Sequence, residues 1–175
     1  MDRVTPIAVD GPVASGKTAV GRLLSRKLGY RFLDTGIMYR ALTWLALERG
    51  VDPEDAHGLV KMAKGHELGV VFGGDEDARI LVDDQDITPN LWRREVDRAV
   101  SLVSRVAGVR ELLVDHQRSI AAEGAVVMVG RDVGTVVLPD APLKIFLIAT
   151  KEERARRRYE ELRTAGQGLS YEQVL

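Results

Sequence analysis

A glycine-rich segment near the start of the chain carries the residue types that bind phosphate. Residues 11–18 read Gly-Pro-Val-Ala-Ser-Gly-Lys-Thr and match the pattern G-x-x-x-x-G-K-[ST] in full. In such a loop, backbone N–H groups surround phosphate oxygens, the lysine reaches the β- and γ-phosphates, and the threonine hydroxyl ligates Mg²⁺. We therefore predict that Lys17 and Thr18 act on a nucleoside triphosphate, with Mg²⁺ as the cofactor.

Missing motifs exclude two classes of nucleotide-binding protein. The N-K-x-D segment that selects guanine in GTPases is absent from the sequence, and so is the L-S-G-G-Q segment of ABC-type ATPases. A kinase of a small molecule remains, and a chain of 175 residues suits one. The residues predicted to bind ATP are Gly11, Pro12, Val13, Ala14, Ser15, Gly16, Lys17, Thr18 and Ala19.

Two polar segments follow predicted strands and are candidate acceptor sites. Segment 34–40, Asp-Thr-Gly-Ile-Met-Tyr-Arg, places Arg40 one helical turn after Gly36, whereas Asp34 alone is equally consistent with a helix N-cap. Segment 130–135, Gly-Arg-Asp-Val-Gly-Thr, follows a nearly all-apolar strand. Its arginine and aspartate are either ligand-binding groups or a structural ion pair. Ligands of parallel sheets bind beyond the carboxyl ends of strands, which is where both segments are expected.

A third candidate is the charged helix predicted over 151–163. Its arginines are Arg154, Arg156, Arg157 and Arg158. Arg154 shares a helix face with Arg157 or Arg158 because residues three or four apart are neighbours on a helix. Such a run is usually a solvated face. In a phosphate-loop kinase it is also where a mobile lid would bring cations onto the transferring phosphoryl group.

The scaffold that must position these residues is predicted from alternating strand and helix patterns. Four apolar core strands alternate with helices, which indicates an α/β fold with a parallel sheet covered by helices. The helix after the phosphate loop is predicted to turn one apolar side toward the core. That side comprises Val20, Leu23, Leu24 and Leu28.

The middle of the chain departs from this alternation. Asp52-Pro53 is predicted to open a third helix as N-cap and first helical residue. Two strand-like runs, 68–72 and 79–82, flank a turn at 73–77 and predict a small inserted hairpin. Thr88-Pro89 is predicted to start further helix.

Composition limits the partners. The 25 basic and 26 acidic residues leave a net charge of -1, which argues against a general affinity for nucleic acid. There is no cysteine for a disulfide or a thiolate metal site, and the three histidines lack metal-ligand spacing. Because no targeting segment or membrane span is recognisable, we expect a cytoplasmic protein that binds neither nucleic acid nor membrane.

Several stretches together resemble the bacterial cytidylate kinases, P-loop enzymes of the nucleoside monophosphate kinase class. The most diagnostic stretch is 130–141, Gly-Arg-Asp-Val-Gly-Thr-Val-Val-Leu-Pro-Asp-Ala. The other matches are 10–18, 33–36, 39–40, 86–88, 95–96, Ser101, 109–110, 144–147 and 153–155. The resemblance implies transfer of a phosphoryl group from ATP to CMP or dCMP. It also implies a single three-layer P-loop domain, with a small β-containing monophosphate-binding insertion at about 66–92 and a helical lid at about 151–170.

The resemblance also implies roles for individual residues. The acceptor nucleotide would be bound by Thr35, Tyr39, Arg40, Ser101, Arg110, Arg131 and Asp132. Of these, Ser101, Arg110 and Asp132 would surround the cytosine. The groups that neutralise the transferring phosphoryl group would be Lys17, Arg131, Arg154 and Arg157, with Mg²⁺ at Thr18. The implied partners are ATP, CMP and dCMP, and the implied state is a monomer.

The chain departs from the family pattern at three places. Val129 stands where the family usually has Asp or Glu, which would help to hold the water shell of Mg²⁺, so Val129→Asp is expected to raise activity or lower the Mg²⁺ requirement. Trp92 replaces an arginine or another polar residue. The family's later lid segment, fifth strand and final helix have no counterpart before Leu175, which predicts a truncated chain.

Two other functions stay open. Shikimate-type kinases have a similar length and resemble segments 21–24 and 32–35, but they require an acidic residue where Gly36 stands. A nucleotide-binding module with little turnover is the second alternative, given Val129 and the short C-terminus.

Overall fold

The protein is built on a parallel β-sheet of four strands in the order β2-β6-β1-β7. The computed structural model describes residues 5–73, 77–164 and 170–174. The sheet strands are β1 (Ile7–Asp10), β2 (Arg31–Asp34), β6 (Val126–Gly130) and β7 (Leu143–Phe146). β1 lies at the centre, with Ile7 opposite Val127 of β6 on one side and Leu143 of β7 on the other. The predicted α/β fold class is confirmed.

Seven α-helices are present in the described part of the chain. They are α1 (Lys17–Leu28), α2 (Gly36–Glu48), α3 (Ala56–Lys64), α4 (Arg94–Val103), α5 (Ala107–Ala122), α6 (Lys151–Thr164) and α7 (Tyr171–Val174). The central strands β1 and β6 are buried throughout and almost wholly apolar, whereas the edge strand β7 is largely exposed. None of these helices is both long and apolar enough to cross a membrane.

Helix α1 packs on the sheet mainly through small residues, and of the predicted apolar side only Leu24 packs against the core. Val20, Leu23 and Leu28 are 40%, 58% and 47% exposed, whereas Gly21 and Ser25 are buried. A Cβ atom at Gly21 would lie 2.4 Å from Cγ2 of Val129, so the helix approaches the sheet too closely for a larger side chain. Close approach of the two backbones therefore decides which side is buried, and the leucine periodicity does not.

A small antiparallel sheet forms the inserted hairpin. It comprises β3 (Leu68–Val71), β4 (Arg79–Val82) and β5 (Gln85–Asp86), with Leu68 opposite Val82. Residues 74–76 of the predicted turn lie outside the described residues. The buried side chains of Ile80 and Ile87 belong to the same apolar cluster as α2, so the hairpin is anchored on the body of the protein.

Two predicted helix starts are displaced. Asp55, three residues beyond Asp52, caps α3 by accepting a hydrogen bond from the N–H of Gly58 at 2.9 Å. Asp52 instead accepts from the N–H of Glu54 in the preceding turn. Thr88–Asn90 forms a short 3₁₀ helix, and the longer helix α4 begins only at Arg94. Aspartate side chains stabilise turns and N-caps alike, so sequence alone did not distinguish these positions.

Candidate active site

The phosphate loop connects the carboxyl end of β1 to the amino end of α1, as predicted. Its backbone is tightly folded: Ala14 and Gly16 have left-handed φ angles of 57° and 93°. A Cβ atom at Gly11 would lie 2.5 Å from the carbonyl oxygen of Leu147. Gly16 precedes α1 without any side-chain cap, which leaves N–H groups at the positive end of the helix dipole available to an anion.

Lys17 is half-buried beside this loop and donates a hydrogen bond to the carbonyl oxygen of Pro12 at 3.1 Å. Burial lowers the pKa of Lys17; the negative charge of Asp34 opposes this lowering, and the positive charge of Arg131 adds to it. Arg131 is exposed and makes no ion pair or hydrogen bond within the described parts of the chain. Two cations therefore face a common space, where a phosphate would relieve their repulsion.

The Thr18 hydroxyl is held by a carboxylate. It donates a hydrogen bond to Oδ2 of Asp34 at 2.9 Å, and Oδ1 of Asp34 accepts from the N–H of Gly36 at 3.0 Å. Donation by the hydroxyl leaves its lone pairs free, and a second carboxylate oxygen lies nearby, which suits Mg²⁺ with its preference for oxygen ligands. Within the described residues, no group of three or more acidic, histidine or cysteine side chains could enclose a metal by itself. The residues therefore fit an ion whose other ligands come from nucleotide and water.

The segment after β6 carries Arg131 and Asp132, and we name residues 130–134 the acceptor turn. Asp132 pairs with Arg110 of α5 rather than with its neighbour Arg131. The guanidinium carbon of Arg110 lies 5.9 Å from the ring centroid of Tyr39, which is buried. Burial raises the pKa of the Tyr39 phenol. Three predicted substrate residues, from α2, α5 and the acceptor turn, are thus brought together.

Two predicted substrate residues are placed differently. Thr35 is buried, and its hydroxyl donates to the carbonyl oxygen of Val129 at 3.0 Å, so it joins β2 to β6. Ser101 is exposed on α4, and its hydroxyl makes no hydrogen bond with any described residue. Ser101 is therefore not hydrogen-bonded to Arg110 or Asp132, and its role toward the acceptor stays a prediction.

Arg40 is held at the entrance of the hairpin region. One nitrogen, Nη1, donates to the carbonyl oxygen of Leu91 at 3.0 Å and to the carboxylate of Asp97 at 2.7 Å. Its guanidinium carbon lies 4.4 Å from the ring centroid of Trp92, whose side chain is exposed. These contacts leave the remaining N–H groups of Arg40 available to an anion.

Helix α6 lies against the phosphate loop. Arg157 donates through Nε to Glu153 at 2.6 Å and through Nη1 to the carbonyl oxygen of Ala14 at 3.3 Å. Arg156 and Arg158 pair with glutamates of their own helix, as on a solvated face, and the Arg154 side chain has no partner among the described residues. Beside this contact lies a cavity of about 930 Å³, lined by residues of both the loop region and α6. Its lining includes Gly16, Val20, Leu147, Arg157 and Glu161.

Two buried or half-buried carboxylates were not predicted as site residues. Asp34 holds Thr18, and Asp10 at the end of β1 accepts hydrogen bonds from the acceptor turn. The available signal was a charged residue that ends an apolar strand, which is costly unless the charge is used. Val129, by contrast, is fully buried in an apolar cluster with Val9 and Phe32 beneath α1.

Known proteins are similar to this chain over nearly its whole length. Residues 7–175 match the family model described as cytidylate kinase. A protein named cytidylate kinase from Pelotomaculum thermopropionicum is 47% identical over 175 residues, which are 100% of this chain and 77% of that protein. Proteins of the same name from Herpetosiphon aurantiacus and Bacillus licheniformis are 49% and 42% identical over 172 residues; these cover 97% and 98% of this chain, and 75% and 76% of the relatives. The chain therefore belongs to the cytidylate kinase family, enzymes that transfer phosphoryl groups to nucleoside monophosphates.

Proposed function

We propose that this enzyme transfers the γ-phosphoryl group of ATP to CMP or dCMP and releases ADP and CDP or dCDP. The observation that carries the proposal is the proximity of two cations, Lys17 on the phosphate loop and the exposed Arg131, which has no ion-pair partner among the described residues and whose charge acts on Lys17. Phosphates of donor and acceptor would meet between these cations. Membership of the cytidylate kinase family supports the cytidine nucleotides as acceptors.

Transfer is direct and in-line in this proposal. An oxygen of the acceptor phosphate attacks the γ-phosphorus, the bond to the β,γ-bridging oxygen breaks, and ADP leaves with that electron pair. The attacking phosphate is already ionised, so no strong general base is required. Lys17, Arg131, Arg154 and Arg157 neutralise charge on the transferring group. Mg²⁺, held at Thr18 with nucleotide oxygens, would supply further neutralisation.

The acceptor base is proposed to bind beside Arg110 and Asp132. A guanidinium and a carboxylate can read the carbonyl and amino groups of cytosine, because one donates and the other accepts hydrogen bonds. The Tyr39 ring lies next to the Arg110 guanidinium, and the Thr35 hydroxyl holds the backbone of β6 by its hydrogen bond to Val129. In this proposal the Ser101 hydroxyl, which is exposed and makes no hydrogen bond with any described residue, is available to the cytosine.

The domain plan belongs to the same proposal. The whole chain is one P-loop kinase domain, in which the region of about 66–92 takes the monophosphate and the region of about 151–170 acts as the lid. Residues 165–169 of that lid lie outside the described residues. The contact between Arg157 and the phosphate loop supports the lid assignment. We propose a monomer acting on ATP, CMP and dCMP.

A coupled ADP-release assay with ATP and Mg²⁺ tests the proposal. CMP and dCMP should be turned over, whereas shikimate should not, and UMP measures selectivity for the base. Lys17→Met is the control, because it removes the cation of the phosphate loop and should abolish turnover. ATP binding without turnover of CMP would favour a nucleotide-binding module. Turnover of shikimate would contradict the roles of Arg110 and Asp132.

A further inference from the structure

Asp10 is a buried carboxylate that was not predicted to bind a ligand, yet it contacts the acceptor turn. It is 6% exposed and ends β1, immediately before Gly11 of the phosphate loop. Its Oδ1 accepts from the N–H of Val133 at 2.7 Å, and its Oδ2 accepts from the N–H of Gly134 at 2.7 Å. Both carboxylate oxygens of Asp10 therefore accept hydrogen bonds from consecutive backbone N–H groups.

These two donors begin a π-helical turn, Val133–Val137, that has no side-chain cap from its own N-cap residue. Asp10 caps it from a neighbouring strand. Charge-assisted hydrogen bonds of this kind are roughly twice as strong as neutral ones, and burial in a low-dielectric interior strengthens them further. The first turn of a helix also favours a negative charge beside its N–H groups. Asp10 thus determines where the backbone after Asp132 lies.

Both glycines of the acceptor turn are explained by this fixation. A Cβ atom at Gly134 would lie 3.2 Å from Oδ2 of Asp10 and 3.1 Å from Cδ of Lys144. A Cβ atom at Gly130 would lie 2.7 Å from Oγ1 of Thr35. Buried side chains thus approach the turn closely at both ends, Thr35 at Gly130 and Asp10 at Gly134, and Arg131 and Asp132 lie between these two contacts.

We propose that Asp10 is a positioning residue for the acceptor nucleotide, because it holds the turn that presents Arg131 and Asp132. This inference rests on the proposed function, since those two residues are its acceptor contacts. Asp10 directly precedes the phosphate loop, so one side chain sets the distance between the donor site and the acceptor site.

The test compares Asp10→Asn with wild type in steady-state kinetics and in calorimetric binding of CMP and of ADP. The amide keeps the size of the side chain but can accept only one of the two N–H bonds and opposes the other with its NH₂ group. We expect kcat/KM for CMP to fall about 10- to 100-fold and CMP binding to weaken. ADP binding should change less than about threefold, because the phosphate-loop backbone remains.

Val9→Ala is the matched control for destabilisation alone. Val9 is the fully buried neighbour of Asp10 on β1, its side chain packs with Val127 and Val129, and its truncation should lower Tm without changing KM for CMP. Gly134→Ala perturbs the same contact by placing a Cβ atom 3.2 Å from Oδ2 of Asp10, and it provides the test if Asp10→Asn does not fold. Its expected effect is the same selective loss of CMP binding.

The outcomes separate cleanly. Selective loss of CMP binding and turnover in Asp10→Asn or Gly134→Ala, at a Tm no lower than that of Val9→Ala, supports the proposal. Unchanged CMP kinetics overturns it, as does an equal loss of CMP and ADP binding, which would make Asp10 a general support of the phosphate loop. Absence of CMP turnover in wild type would refute the proposed function instead.

Discussion

At the residue scale, the candidate site is marked by a cation that has no ion-pair partner among the described residues and lies near a second cation. Ten arginines in the described residues form ion pairs with carboxylates, among them Arg22 with Asp77 and Arg156 with Glu153. Arg131 stands exposed without such a partner in the described ranges, although it borders a half-buried lysine. An unpaired cation beside another cation is unfavourable in the absence of an anion, and this cost is tolerated where an anionic substrate binds.

Arg131→Ala should therefore impair turnover and spare the fold. We expect kcat for CMP phosphorylation to fall about 100-fold or more, because a group that neutralises transition-state charge is lost. Tm should hardly change, since exposed, unpaired surface residues usually contribute within about 0.5 kcal/mol. Arg156→Ala is the control, as its guanidinium pairs only within α6. A fall in Tm with normal turnover would show that Arg131 is structural.

Val129 shows how burial reverses an expectation drawn from a sequence pattern. An acidic side chain there was expected to assist Mg²⁺. In the structure, Val129 is fully buried, lies directly opposite Asp34 in the sheet, and would be 2.4 Å from a Cβ atom at Gly21. A second carboxylate would be desolvated beside the first. Asp34 already supplies the carboxylate that holds Thr18.

Val129→Asp is accordingly expected to lower the free energy of unfolding by about 3 kcal/mol or more, measured by urea denaturation at neutral pH. Val129→Asn, of the same shape but uncharged, separates the cost of charge from the cost of polarity and should be less damaging. If the aspartate variant kept wild-type stability and needed less Mg²⁺ for half-maximal activity, the expectation from the family pattern would be correct after all.

At the element scale, one carboxylate of α6 orients the arginine that connects this helix to the phosphate loop. Glu153 accepts from Arg156 and Arg157, and the second of these also reaches the carbonyl oxygen of Ala14. Hydrogen bonds from Arg156 and then Arg157 lower the pKa of Glu153 from 4.5 to about 2. The ionised carboxylate thus directs Arg157 toward the phosphate loop, where the carbonyl oxygen of Ala14 accepts its hydrogen bond.

The pH dependence of stability follows from the lowered pKa. A carboxyl group with a depressed folded pKa stabilises the protein above its unfolded pKa, near 4.5, and this contribution disappears as pH falls toward about 2. Glu153→Gln should lower Tm at pH 7, and its difference from wild type should shrink as pH drops through that window. Glu152→Gln, on the same helix, is the control. A difference that stays constant from pH 7 to pH 2 would contradict the assignment.

At the scale of the whole molecule, the site is assembled from distant parts of the chain. Lys17 comes from α1, Tyr39 from α2, Arg110 from α5, and Asp132 from the acceptor turn. Because parallel strands all present their carboxyl ends at the same edge of the sheet, the phosphate loop and the acceptor turn become neighbours across β1 and β6. A ligand that spans them should stabilise the entire fold.

Binding of CMP should therefore raise the thermal stability of the protein. At about 100 times its Kd, a ligand that binds the native state alone contributes about 2.7 kcal/mol, which corresponds to a rise in Tm of about 5–10 °C for a domain of this size. Differential scanning calorimetry with CMP, and with shikimate as the control, measures it. A shift with shikimate and none with CMP would reassign the acceptor site.

The sequence by itself was sufficient for the parts of this protein that depend on neighbours along the chain. A strand, a glycine-rich loop and a helix in that order determine the phosphate loop, because its function resides in backbone N–H groups and two adjacent side chains. Alternation of apolar strands with helices likewise indicated the parallel sheet. The family resemblance then named Arg110 and Asp132 as partners around one ligand.

Only the tertiary structure determined which polar groups form hydrogen bonds or ion pairs within the protein and which remain available to a ligand. It paired Asp132 with Arg110, committed Thr35 to the backbone of β6, left Arg131 unpaired within the described residues, and placed Asp10 under the acceptor turn. It also buried Gly21 and exposed Leu23 on α1. The physical reason is the same in each case: hydrogen-bond partners and close backbone approach depend on distances between elements, which no pattern along a single chain contains.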